Sequence, residues 1–177
     1  MALALKQAVL KPQDLVVALK VALNDSQDFR LTTLSDELGL VVSAVHGCVV
    51  RCVQARLLSR ASGEISPIKP SILEFAVHGA RYAFPPVLGP ISRGLATSTF
   101  GPSLAEYFDQ GSGMPMVWPD ASGDAYGPSI APLHPCVPGA SRSDVRLYDA
   151  LALFDAIRAG AAREREMASK ILEGMIR

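Results

Sequence analysis

Between Leu31 and Val53 the apolar residues recur every three or four positions, pause at a single Gly, and resume. The first run, Leu31-Thr-Thr-Leu-Ser-Asp-Glu-Leu-Gly-Leu40, places Leu34 and Leu38 on one face of a helix. The second, starting at Val41, places Val45, Cys48, Val49 and Cys52 on one face of another. That period predicts two short helices. Thr33 followed by Asp36 predicts a capping box for the first. Ser35 is small where the helices must approach, Gly39 can take the left-handed conformation that ends a helix, and Leu40 plugs the turn.

The same patterning organises the rest of the chain. Leu15, Leu19, Ala22 and Leu23 predict a striped helix from Pro12 to about Asn24, with Pro in its first turn, and a polar loop follows over 24–28. Apolar runs on either side of Ala61-Ser-Gly63 predict a small hairpin, its second strand limited by Pro67. Ile72, Phe75, Ala76, Gly79 and Tyr82 predict a helix from Ser71, as N-cap, to about Ala83. Leu147, Leu151, Phe154 and Ile157 form a stripe opened by Ser143 and Asp144. Gly160 weakens it, and helix resumes over 161–176. His78 and Arg81, and further on Arg158, Arg163 and Arg165, read as polar helix edges.

From Pro85 to Ala140 the pattern changes: ten of the thirteen Pro and eight of the fourteen Gly fall there, and only Ser103 to Gln110 reads as helix. Leu88, Ile91, Leu95, Phe100, Trp118 and Ile130 make the segment too apolar for a solvated tether. It is expected to be ordered and loop-rich, wrapped over the helices or over a protein partner. Four regions result: 1–70, a connecting helix over 71–84, the segment 85–140, and a helical region 141–177 whose apolar stripe, continued by Ala161, Met167, Ile171, Leu172 and Met175, could pair with a second copy.

Composition narrows the class. Hydrophobic residues make up 49% and charged residues 19% of 177, the balance of a folded chain. The formal net charge is zero, which excludes a global positive field but leaves room for a local basic face. Three Cys, an odd number, do not make a disulfide framework. With no leader pattern in the first residues and no long apolar run, a cytoplasmic protein that does not span a membrane is expected.

The segment from about Leu10 to Ile68 resembles the winged helix-turn-helix domains of bacterial transcriptional regulators, especially the MarR-like group. It shares a Thr-led helix, a Leu-Gly-Leu turn, and a Leu-Leu pair entering the wing. The resemblance implies a mainly α fold, α+β in detail, that lays its second motif helix in the major groove of double-stranded DNA as a homodimer. By position, the implied DNA-binding residues are Thr32, Thr33, Val42, Ser43, His46, Gly47, Val50, Arg51 and Gln54, with Arg56, Arg60 and Lys69 as backbone contacts near the wing. Arg51 is the expected bidentate donor to guanine. Val41, Gly47 and Val50 depart from the family's pattern. Gly inside a helix costs about 0.5–1 kcal/mol relative to Ala, so Gly47 implies close approach of a DNA or protein backbone.

Other chemistries find less footing. His46, Cys48, Cys52, His134 and Cys136 do not converge at zinc-ligand spacing, because His46 and Cys52 lie on different faces of one helix. No Gly-x-Ser-x-Gly elbow is present, and the Gly-rich runs 111–114 and 122–127 do not join a predicted strand to a helix. Neither catalytic residues nor a metal or cofactor is therefore expected. The alternative to a DNA-binding regulator is a non-enzymatic interaction module, or an antitoxin-like partner protein, whose winged helix no longer reads DNA and which uses Val42 and Val50 for protein contact.

Overall fold

The computed structural model describes residues 7–24, 29–61, 63–108, 111 and 113–177. The expectations for residues 1–6 and 25–28, for Ser62 in the hairpin turn and for Gln110 lie outside the described residues. The molecule is mainly α, with two small sheets.

Helix α1 (Pro12–Leu23) is the structural centre. Asp14 through Leu23 are all buried, so the expected stripe is instead a helix covered on every side. It packs on α3 (Val42–Gln54) and β2 (Glu64–Pro67), and also on α7 (Val145–Ala159) and α8 (Ala162–Ile176). The hairpin β1 (Leu58–Ala61) and β2 forms as expected, with Leu58 opposite Pro67 and Arg60 opposite Ile65. Phe29, just before α2 (Leu31–Leu38), bridges to Ile65 and adds a third, one-residue strand.

Two helix starts differ from expectation. α2 begins at Leu31 behind Arg30, so Thr33 lies inside the helix and makes no capping box. α4 (Lys69–Glu74) starts ahead of Ser71, with Pro70 in its first turn, where a missing N–H leaves no bond unmade. It continues through a π turn (Phe75–Gly79) into α5 (Ala80–Ala83).

The Pro/Gly-rich segment holds more strand than expected. β3 (Leu88–Ala96) pairs antiparallel with β4 (Val117–Pro119) and β5 (Ala125–Ile130), and Val117 meets Ser129 in parallel, closing a three-stranded barrel. Gly94 permits this closure, because a Cβ there would lie 2.0 Å from the Trp118 carbonyl oxygen. Ser103 to Phe108 forms turns rather than helix. Asp149 draws off both the backbone N–H and the hydroxyl of Ser103, and such side-chain bonds compete with the helical ladder.

The barrel sits on α7 through Asp155. This buried carboxylate accepts from Trp118 Nε1 at 2.6 Å, Thr97 Oγ1 at 2.9 Å and Arg158 Nε at 2.8 Å. Arg158 is therefore a nearly buried partner, not a solvated edge. α6 (Val137–Ser143) leads into α7, whose N-cap Asp144 accepts from the Leu147 N–H. On α8, Ala168, Leu172 and Ile176 are buried within this chain. Of the stripe expected to pair with a second copy, Leu147, Leu151, Phe154, Ile157 and Leu172 are buried within this chain, Met167, Ile171 and Met175 are half-buried, and Ala161 is exposed. Among the described residues, no single helix is long and apolar enough to cross a membrane.

Candidate nucleic-acid interface

The axes of α2 and α3 diverge by 112° across a three-residue turn. Gly39 adopts φ +63°, as its place in the turn requires. The Leu40 N–H returns to the Ser35 carbonyl at 3.0 Å, while the Ser35 hydroxyl donates to the Leu40 carbonyl at 2.5 Å. Ser35 is buried between the helices as its size predicted, and Leu40 closes the turn.

α3 turns Val45, Cys48, Val49 and Cys52 inward. Its opposite face is open: Val42, Ser43, His46, Val50 and Gln54 are exposed, as is the N-cap Val41. At about 100° per residue these five helical positions share an arc of about 120°. The expected reading-face residues Ser43, His46, Val50 and Gln54 are thus brought together.

Arg51 is not among them. Its Nε and Nη2 donate to the two carboxylate oxygens of Asp14, both at 2.7 Å, and Nη2 also reaches Cys48 Sγ at 3.5 Å. Position 51 lies between the open arc and the inward face, so its side chain folds toward α1 rather than outward. Asp14 is fully buried and also accepts the Lys11 N–H at 2.8 Å. The expected guanine reader is instead the half-buried partner of a buried carboxylate. This also corrects the reading of Gly47: a Cβ there would stand 3.2 Å from Arg51 Nη1. The missing side chain makes room for the guanidinium, without any approaching DNA or protein backbone.

The flanking positions divide. Arg56 is exposed and holds φ +58° as the residue that ends α3, with the Arg56 N–H bonded to Val53 O and the Leu57 N–H bonded to Cys52 O. Arg60 is exposed on β1. Lys69, expected near the hairpin, instead donates to the Arg177 carbonyl at 3.4 Å, because the carbonyl end of α8 attracts a cation. Thr32 is exposed on α2, and Thr33 is half-buried.

The thiols of α3 line the contact with α1. Burial pushes Cys48 up to about 12 and raises Cys52 as well, so neither supplies a thiolate at neutral pH. Two charges escaped the sequence reading. Lys20 interrupts the apolar run from Leu15 to Leu23, which is the mark of a buried, paired group, whereas Asp14 follows Gln13 ahead of that run and carries no such mark. Lys20 bonds Glu37 of α2 at 2.6 Å and Asp144 at 2.5 Å. No family model matches the chain, and no match emerges among curated proteins or solved structures.

Proposed function

We propose that the chain is a transcriptional regulator that binds double-stranded DNA through a winged helix-turn-helix, without catalysis or a cofactor. The open face of α3 carries this reading: on a helix set 112° from its predecessor, it is left free by the rest of the described chain. The hairpin, with the Phe29–Ile65 bridge beside it, supports the reading of a wing. In this reading α3 enters the major groove, Ser43, His46 and Gln54 meet base edges, and Arg56 and Arg60 meet phosphates. Two copies on adjacent half-sites belong to the proposal, through a surface other than the covered side of α8.

The test is selection of duplex fragments by the full chain, followed by a salt titration. Two phosphate contacts per chain give a slope of log K against log salt of about −2, and Arg60→Ala should lower its magnitude by about 1. If His46→Ala, Gln54→Ala and Arg60→Ala all leave duplex binding untouched, this surface does not bind DNA.

One observation favours protein contact instead. Val41 is 69% exposed, Val42 42% and Val50 38%, an apolar strip on an otherwise polar face. Under that second reading, Val50→Asp breaks a protein complex while the fold survives.

A further inference from the structure

Resting on the DNA reading above, we infer that α3 recognises thymine through the C5-methyl groups of the major groove, with Val42 and Val50 as specificity-determining residues. α3 holds one guanidinium, that of Arg51, and Asp14 binds it through two 2.7 Å bonds. It is not available to fork onto guanine O6 and N7. What the open arc offers instead is two β-branched apolar side chains, 42% and 38% exposed, with Ser43 and His46 between them and Gln54 one turn beyond.

On the major-groove edges of the four bases, the thymine methyl is the apolar group, and a Gln side chain pairs with adenine N6 and N7. The available contacts therefore point to A·T pairs. The spacing fits as well. Val42 and Val50 are eight residues apart, which is about 12 Å along a helix and between three and four base steps at about 3.4 Å each. Beyond the last turn of α3, the exposed Arg56 and Arg60 supply the charge that a phosphate backbone requires.

The experiment measures binding of the full chain to alternating poly(dA-dT) and poly(dA-dU) duplexes at low salt, with poly(dG-dC) and its C5-methylcytosine form as a second pair. Uracil differs from thymine by the methyl alone, and methylcytosine adds that methyl to a G·C pair. Burying a methyl is worth roughly fourfold in affinity, so two valines should give about fifteenfold tighter binding to poly(dA-dT) than to poly(dA-dU). The methylated G·C duplex should likewise bind more tightly than the unmethylated one. The double variant Val42→Ser with Val50→Ser changes two exposed positions; it should equalise the thymine and uracil duplexes.

Equal binding of the parent chain to thymine and uracil duplexes overturns methyl recognition and leaves DNA binding standing. A thymine preference that the double variant retains also overturns it, since the preference then lies elsewhere. Failure to bind any of the four duplexes overturns the DNA reading itself.

Discussion

At the scale of single residues, the Asp14–Arg51 pair separates stability from recognition. Removing Arg51 leaves a fully buried carboxylate without its cation, and breaking such a pair costs about 3 kcal/mol or more. Arg51→Ala should therefore lower the urea midpoint sharply; an unchanged midpoint would show that the pair contributes nothing. Arg56 poses the opposite case. A non-Gly residue in left-handed backbone costs about 1 kcal/mol or more, so Arg56→Gly should raise stability by about that amount while weakening duplex binding, measured in parallel by denaturation and by titration with DNA. The Arg56 backbone state was not legible in the sequence, because an arginine does not announce positive φ. Nor was the burial of Asp14, which stands at the end of the lead-in Lys11-Pro12-Gln13 where a first-turn acid is ordinarily solvated; its burial and its partner depend on how α1 and α3 cross.

At the scale of elements, the α2–turn–α3 unit was the most readable part of the chain. Its geometry depends on local chemistry: Gly39 at positive φ, Ser35 bonded across the turn, and inward residues at helical spacing. The barrel was the least readable. Its strands are rich in Gly and Pro, and close approaches such as Gly94 against Trp118 arise only once the strands have met. Gly47 lies between these cases, since its presence was noticed and its cause was not. Helix propensity alone favours Gly47→Ala by about 1 kcal/mol, but the new Cβ presses on a guanidinium held by two bonds. The substitution should give little or no stabilisation in the parent chain and close to the full gain in an Arg51→Ala background. A double-mutant cycle measured by thermal or urea unfolding reads the difference directly. Equal effects in both backgrounds would mean that Gly47 serves something other than Arg51.

At the scale of the whole molecule, Lys20 joins three elements: α1, α2 through Glu37, and the start of α7 through Asp144. Burial works against the charge on Lys20, but its two carboxylates outweigh it and raise its pKa above the ordinary 10.5. Burial likewise pushes Asp144 up, yet the bonds from Lys20 and the Leu147 N–H hold it below its ordinary 3.8. The stability that Asp144 contributes is present above its unfolded value and is lost as pH falls through the lower folded one. That of Lys20 is present below 10.5 and is lost as pH rises through its raised value. Lys20→Met should therefore cost about 2 kcal/mol, less than a fully buried pair because Glu37 stays near solvent. The deficit should be flat from pH 5 to 9 and shrink toward both extremes, as urea melts across that range would show.

The burial of α1 between α3 and β2 on one side and α7 and α8 on the other has a thermodynamic consequence. A chain cut after residue 70 would expose the far side of α1 to water, so the recognition unit and the barrel-bearing half are expected to unfold together. Occupancy of one is then felt by the other through mass action alone, with no change of shape. A duplex held at 100 times its Kd would add about 2.7 kcal/mol to the unfolding free energy. Under the proposed reading, the amide hydrogens of α7 that exchange only through global opening would slow about a hundredfold, although the proposed interface lies on α3.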